Sequence, residues 1–128
     1  MSINPRQLNA ATLAFVGDAI YSLLVREHLT EKPNLKIGDL HAQTAALVCA
    51  SAQAAALQAI KPLLTDDELA IFKRGRNLHQ SNIPKSATVK EYHDATGLES
   101  LFGFLHLSKN CERVQELFKI CVKDFSFT

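Results

Sequence analysis

Two long apolar runs, each containing a single carboxylate, constrain the fold of this chain more than any other feature of its sequence. The run from Asn9 to Val25 has Asp18 as its only charged residue, and the run from Ala95 to Ser108 has Glu99 as its only formally charged residue. An ionised carboxylate in apolar surroundings is costly, so it is normally paired, hydrogen-bonded, protonated or bound to a metal ion. The pattern predicts two buried helices whose acids serve a purpose other than packing.

Glycines beside the two acids indicate that these helices approach each other closely. Gly17 precedes Asp18, while Gly97 and Gly103 flank Glu99. A glycine inside a helix costs about 1 kcal/mol relative to alanine, so its presence usually reflects tight packing. We therefore expect the two helices to cross in close contact and to bring their carboxylates within reach of one shared cation.

The composition favours one all-α domain. The chain has 128 residues, of which 47% are apolar, which suits one core and leaves no material for a second module. Seven Phe, five Gly, four Pro and no Trp favour helices over a β-sandwich. We expect a single domain that spans residues 1–128.

Apolar periodicity and turn residues predict six helices, at about residues 8–29, 35–47, 51–61, 65–74, 88–107 and 110–122. Capping boxes are predicted from Thr65 to Glu68 and from Thr88 to Glu91, and a long loop from Gly75 to Ala87. The predicted core residues of the first helix are Leu8, Thr12, Phe15, Val16, Ala19, Leu23 and Leu24, and those of the sixth are Val114, Leu117, Phe118 and Cys121.

The cysteines and the start of the chain bear on where the protein is located. Cys49, Cys111 and Cys121 follow no C-x-x-C or Cys/His metal-ligand spacing, so we expect ordinary core thiols rather than disulfides or structural zinc. No apolar run reaches the roughly 18 residues that span a bilayer, and the start lacks a basic flank followed by an apolar core. The sequence predicts a cytoplasmic protein without a membrane partner.

Basic residues are concentrated in one segment, although the net charge is only +1. From Lys73 to Lys90 the chain carries five Lys or Arg, one His and no acid. Such a cluster is commonly a solvated loop, but beside a metal site it would bind phosphates. His79 is the best histidine candidate for an RNA contact because it lies in this segment, and His106 is a hypothetical supporting residue for Glu99.

The two acids leave two interpretations open. Asp18 or Glu99 could be structural, bonded to backbone amides or to a neighbouring hydroxyl group. Alternatively, both could bind Mg²⁺, which prefers carboxylate, water and phosphate oxygens and would activate water for phosphodiester hydrolysis. Two such acids, each in a glycine-bearing helix, favour the metal site.

Three segments together resemble the ribonuclease III catalytic domain, and specifically its small bacterial Mini-III branch, which lacks the separate double-stranded RNA-binding domain. Residues 15–21 (FVGDAIY) resemble the motif around the catalytic Asp, and residues 95–103 (ATGLESLFG) resemble the motif around the catalytic Glu. Residues 73–77 (KRGRN), followed by Pro84 and Lys85, match the Mini-III intervening segment. The resemblance covers nearly the whole chain.

The resemblance implies an all-α, homodimeric endonuclease with the helical bundle of the ribonuclease III endonuclease domain. It would cut double-stranded RNA with Mg²⁺, one strand per protomer, and leave 5′-phosphate and 3′-hydroxyl ends. The Mini-III branch further implies maturation of the precursor of large-subunit (23S) ribosomal RNA. Asp18 and Glu99 would be both catalytic residues and metal ligands. The RNA-binding residues implied for the basic segment are Lys73, Arg74, Arg76, Asn77, His79 and Lys85.

Two acids of full-length ribonuclease III are missing from this chain. That enzyme has a Glu four residues before its catalytic Asp, where this chain has Ala14, and an Asp three residues before its catalytic Glu, where this chain has Thr96. Asp94 is too near the start of its helix to be assumed a replacement. The resemblance therefore leaves the number of metal ions open.

Two non-enzymatic functions remain as alternatives. A catalytically silent double-stranded RNA-binding or ribosome-assembly module would keep the fold without the chemistry, but retention of both Asp18 and Glu99 argues against it. A helical protein-interaction domain would treat the acids as buried structural groups, and it would leave the basic segment unexplained.

Overall fold

The described part of the chain is a bundle of six α-helices. In this computed structural model the described residues are 3–78, 85 and 87–123, and they contain no β-strand, so the all-α prediction is confirmed. Short 3₁₀ turns at Pro5–Gln7 and Lys61–Leu63 precede the first and fourth α-helices. The α-helices are α1 (Ala10–Leu29), α2 (Ile37–Val48), α3 (Ala50–Ile60), α4 (Asp66–Arg76), α5 (Val89–Leu107) and α6 (Cys111–Val122).

α5 is the central helix and packs against α1, α3, α4 and α6. Every residue from Asp94 to Leu105 except Glu99 is buried. A helix that is largely apolar on all sides has to be surrounded by other elements, which explains this central place. Its contact with α1 includes Tyr21, whose ring packs edge-to-face on Phe102 with the centroids 5.4 Å apart.

α1 and α5 cross at two glycines, as the sequence predicts. A Cβ on Gly17 would lie 1.6 Å from the carbonyl oxygen of Glu99, and a Cβ on Gly103 would lie 1.9 Å from that of Leu13. Both distances are far shorter than van der Waals contact, so only glycine allows the two backbones to touch. This contact determines where Asp18 and Glu99 meet.

A second close contact joins α4 to α5 and corrects the predicted end of α4. The sequence predicts that α4 ends near Arg74 and that a loop starts at Gly75, but the helix continues to Arg76. Gly75 is buried, and a Cβ there would lie 2.3 Å from Ser100 Oγ. The glycine stays helical because α5 packs directly on its backbone.

Both predicted capping boxes are present. The hydroxyl groups of Thr65 and Thr88 each accept a hydrogen bond of 3.1 Å from the backbone N–H three residues later, and Glu68 and Glu91 accept one of 2.9 Å from the threonine N–H. Glu68 also pairs with Arg113 of α6 at 2.7 Å. Burial favours a higher pKa of Glu68, but hydrogen bonds from Arg113 and Thr65 outweigh it and lower the pKa. This pair ties α4 to α6.

The predicted core face is confirmed for α6 and largely wrong for α1. Phe15 is 80% exposed and Leu23 is 52% exposed, whereas Tyr21 is fully buried. Because apolar residues lie on every side of α1, periodicity does not select one face, and the glycine contact with α5 does. The predicted residues that are partly or wholly exposed are Leu8, Thr12, Phe15, Val16, Ala19 and Leu23, and the buried residues of α1 are Ala10, Leu13, Gly17, Tyr21, Leu24, Val25 and Leu29.

Cysteine burial and helix length bear on two further predictions. Cys121 is buried as expected, but Cys49 and Cys111 are exposed, so the prediction of core thiols is wrong for these two. Both lie at helix ends, where the chain turns at the protein surface. Within the described residues, no single helix is long and apolar enough to cross a membrane, and one bent pair, α2 with Ala50–Leu63, meets that criterion by length and composition alone.

Gly17→Ala is expected to destabilise the fold by about 3 kcal/mol. The added methyl group would clash with the backbone of α5, and no side chain can change its rotamer to make room for it. Gly38→Ala is the matched control, since a Cβ on Gly38 meets nothing within 4 Å. The control should be neutral or stabilising by up to about 1 kcal/mol. Urea denaturation measures both free energies of unfolding. Equal stability of the two variants would contradict the tight crossing.

Candidate active site

A cavity of about 400 Å³ opens where α1, the start of α3 and α5 meet. Asp18 and Glu99 both line it, so the structure brings together the two acids that stand out in the sequence. Gly17, which precedes Asp18, lies against the backbone carbonyl of Glu99. Both acids are therefore carried by helical backbone in direct contact, which holds their side chains more firmly than loops would.

The two acids differ in exposure. Asp18 is exposed, contrary to the prediction that it is buried, because α1 turns Gly17 and Tyr21 rather than Asp18 toward the core. Glu99 is half-buried and is the least buried residue of the central part of α5. A ligand that enters the cavity from solvent can therefore reach Asp18 directly, with Glu99 behind it.

The electrostatics of the cavity show that the two carboxyl groups interact. The pKa of Glu99 is raised to about 8, first by burial and then by the charge of Asp18 and a hydrogen bond with it. The nearby amide of Gln53 acts in the opposite direction and lowers the pKa of Glu99. The two acids are thus close enough to interact. A cation between them would compete with the proton of Glu99 and relieve the repulsion.

Two carboxylates suit a hard cation that takes its other ligands from water and substrate. Within the described residues, no group of three or more His, Cys, Asp and Glu side chains is placed to hold a metal ion. Mg²⁺ is usually bound by one or two carboxylates together with waters and phosphate oxygens. Structural zinc needs four protein ligands and calcium needs six to eight oxygens, so the donor set here fits Mg²⁺ best.

The two positions that lack an acid lie in the same cavity. Ala14 and Thr96 both line it, so the departure from full-length ribonuclease III changes the site itself. Thr96 Oγ1 donates a hydrogen bond of 3.0 Å to the carbonyl oxygen of Tyr92 within its own helix. Asp94 is buried and pairs with Lys90 at 2.7 Å. Asp94 thus has a structural partner on α5.

The basic segment flanks the cavity. Leu78 and Ala87 both belong to this segment, and both line the cavity. Lys73 and Lys85 are exposed. His79 lies outside the described residues. The basic segment therefore contributes two residues to the cavity wall, and two of its lysines are exposed to solvent.

Three of the predicted RNA-binding residues also stabilise the end of α4. Arg74 donates a hydrogen bond of 2.7 Å to the carbonyl oxygen of Leu8, just before α1. The Arg76 guanidinium lies 5.6 Å from the centre of the Phe72 ring, and its Nε donates to Asn77 Oδ1 at 3.3 Å. Substitution of any of these residues would therefore remove a contact within the protein.

His106 lies at a different surface. Seven residues after Glu99 it returns to a similar side of α5, but about 10 Å further along the axis. It is exposed and lines a separate pocket with Ile20, Leu23 and Cys111. The hypothesis that His106 supports Glu99 is therefore wrong.

Gln53 of α3 is a buried polar residue of the cavity that the sequence analysis missed. It is 2% exposed and lines the cavity with the two acids. The sequence held one signal, because Gln53 shares a helical face with Leu57 and Ile60, which are both core residues. A polar side chain on an otherwise apolar face indicates a buried hydrogen-bonding role.

Comparisons with known proteins agree with the resemblance that the motifs indicate. Residues 11–110 match the Ribonuclease III domain family. The chain is 42% identical over 120 residues to the Mini-ribonuclease 3 of Enterococcus faecalis, covering 92% of this chain and 91% of the relative. It is 43% identical over 114 residues to the Mini-ribonuclease 3 of Symbiobacterium thermophilum, covering 89% of this chain and 88% of the relative. An X-ray structure of a Fusobacterium nucleatum protein matches with a TM-score of 0.86 at 32% identity, covering 95% of this chain and 98% of that one.

Glu99→Gln is expected to stabilise the metal-free protein increasingly as the pH rises. The pKa of Glu99 is higher in the folded protein than its ordinary value of 4.5, so the folded state loses stability as pH rises from about 4.5 through about 8. Glutamine removes this loss. The difference in melting temperature between the variant and the unmodified protein should therefore grow by about 10 °C or more over this range and then level off.

Thermal melts in EDTA across this pH range provide the measurement. Glu27→Gln is the matched control, because Glu27 is exposed on α1 and lies outside the cavity. The melting temperature of the control should follow that of the unmodified protein at every pH. A constant offset for Glu99→Gln would show that the pKa of Glu99 is not raised by folding.

Proposed function

The chain belongs to the ribonuclease III family and is an endoribonuclease, and we propose that it hydrolyses double-stranded RNA with Mg²⁺ in the cavity shared by Asp18 and Glu99. The convergence of these two acids carries the proposal. They come from helices far apart in the chain, and burial together with Asp18 raises the pKa of Glu99. A part-buried acid that lies beside a second acid is explained by a cation that both bind.

The chemistry follows from the placement of the two acids. Asp18 and Glu99 would hold Mg²⁺, which when bound polarises a phosphate oxygen and orients a water molecule. The exposed Asp18 would lie nearer the mouth of the cavity, where the substrate enters. Glu99 would hold the cation from the inner wall. Water attacks phosphorus, and the bond from phosphorus to the 3′ oxygen breaks. One proton of the water ends on that oxygen, which gives a 3′-hydroxyl end and a 5′-phosphate end.

The basic segment supplies the RNA contacts in this proposal. Lys73, Arg74, Arg76, Asn77, His79 and Lys85 bind phosphates and sugars on either side of the scissile bond. Lys73 and Lys85 support this role because they are exposed on a segment that contributes Leu78 and Ala87 to the cavity wall. A-form RNA is recognised mainly through shape, phosphates and 2′-hydroxyl groups, so the proposal requires no base-specific contact.

We also propose a homodimer formed through the exposed apolar side of α1. Phe15 is 80% exposed and lines the cavity, and Ala11 and Ala19 extend the same exposed side by one turn in each direction. Covering one phenylalanine side chain is worth about 1.5–3 kcal/mol. A second copy would cover it and place a second cavity nearby, so that each protomer cuts one strand of the duplex.

The proposed biological substrate is the precursor of large-subunit (23S) ribosomal RNA, which the resemblance to the Mini-III branch implies. In that role the protein would act in ribosome biogenesis in the cytoplasm. The relatives that support this branch carry the name Mini-ribonuclease 3 and are matched over about 90% of their length.

Asp18→Asn and Glu99→Gln are each expected to lower the rate of duplex cleavage by about 1,000-fold, because each removes a charged ligand of the cation. Asp39→Asn is the matched control and should retain full activity, since Asp39 is exposed in the first turn of α2. Initial rates on a long RNA duplex, with Mg²⁺ and with EDTA, provide the measurement. Light scattering should give twice the chain mass for every variant. Substantial activity in both acid variants would refute the assignment.

Lys73→Ala combined with Lys85→Ala should weaken duplex binding without changing the melting temperature. Each lost phosphate contact reduces the slope of log Kd against log salt concentration by about 1. The slope for the double variant should therefore be smaller by up to about 2. Binding is measured in an Asp18→Asn background so that the duplex stays intact. Lys119→Ala with Lys123→Ala, both exposed on or after α6, is the control. Unchanged affinity at low salt would count against the phosphate contacts.

A further inference from the structure

Gln53 is a buried polar residue on an apolar helix face. It is 2% exposed, and Leu57 and Ile60 on the same face are fully buried. Burying an amide without a hydrogen-bond partner costs about 1–3 kcal/mol, so an apolar residue would suit packing better at this position. Packing therefore does not explain why a glutamine is found here.

The side-chain amide of Gln53 lies beside Glu99. Both residues line the cavity. Gln53 lies on α3, which packs against α5, the helix that carries Glu99. Nε2 of Gln53 is buried and has no hydrogen-bond partner in the described part of the chain. The amide is thus close enough to act on the carboxylate, with its donor capacity unused.

We propose that Gln53 is a positioning residue of this site, whose buried amide donates a hydrogen bond to the ionised Glu99 carboxylate and orients it for the cation. The inference rests on the proposed function. An amide donor stabilises the ionised form of a carboxylate, and partners of this kind fix the orientation of metal ligands. A neutral donor also leaves the charge of Glu99 available to the cation, whereas a lysine or arginine in its place would neutralise it.

The same arrangement explains why α3 contributes to the cavity at all. The acids themselves come from α1 and α5, and α3 packs against α5. A buried side chain on a packed helix is held in one rotamer, so its amide is placed without further ordering when the cation binds. Gln53 would therefore not bind the cation itself. It would reduce how far the Glu99 side chain has to reorient when the cation binds.

Gln53→Met tests the proposal, because methionine keeps the length of glutamine and removes the amide. The affinity of the RNA-free protein for Mn²⁺, measured by calorimetry, should fall about 10-fold to 100-fold. The Mg²⁺ concentration for half-maximal cleavage should rise to match, with KM for the duplex unchanged at saturating Mg²⁺. Gln58→Met is the matched control, since Gln58 is exposed on the same helix and should leave Mn²⁺ affinity unchanged.

The outcomes separate this inference from the proposed function. A lower melting temperature with unchanged Mn²⁺ affinity would assign Gln53 a structural role and overturn the inference alone. If the unmodified protein and Asp18→Asn gave the same Mn²⁺ isotherm, the proposed function and the inference would both fail. Should Gln53→Met not fold, NMR of the unmodified protein decides, because the Gln53 side-chain amide resonances must shift on addition of Mg²⁺. Unchanged resonances would overturn the inference.

Discussion

The backbone contact between α1 and α5 is the constraint on which the rest of the structure depends. Gly17 lies against the carbonyl of Glu99, and Gly103 lies against that of Leu13. Because backbone meets backbone, no change of side-chain rotamer can relieve an added methyl group. The contact makes α5 the centre of the bundle and also brings Asp18 to Glu99. Fold and candidate site therefore depend on the same two glycines.

The candidate site lowers the stability of the protein when no cation is present. Two carboxyl groups share one cavity, and burial together with Asp18 raises the pKa of Glu99 to about 8. Any cation that binds the folded protein and not the unfolded chain recovers this stability. The amide of Gln53 favours the ionised form of Glu99, which is the form that a cation needs. Stability and metal binding are thus coupled through the same pair of acids.

Sequence patterns predicted the features whose causes are local and also the crossing of α1 with α5 at their glycines, but they failed at other features that packing decides. The capping boxes at Thr65 and Thr88 depend on a few adjacent residues, and both were predicted correctly. The core face of α6 was also predicted correctly, because its buried apolar residues recur every three or four positions and polar residues separate them. The face of α1 was wrong because Phe15 and Tyr21 are equally apolar by type. The end of α4 was wrong because Gly75, usually a helix-ending residue, is held in the helix by α5.

The sequence by itself determined the helices, the two acids and the family, because these depend on residue types and on spacing along the chain. Only the tertiary structure decided that Asp18 is exposed, that Glu99 is half-buried beside it, that Gln53 completes the cavity, and that Phe15 points outward. Burial, pKa and hydrogen bonding depend on which helices pack around a residue, and residues far apart in the chain supply that environment.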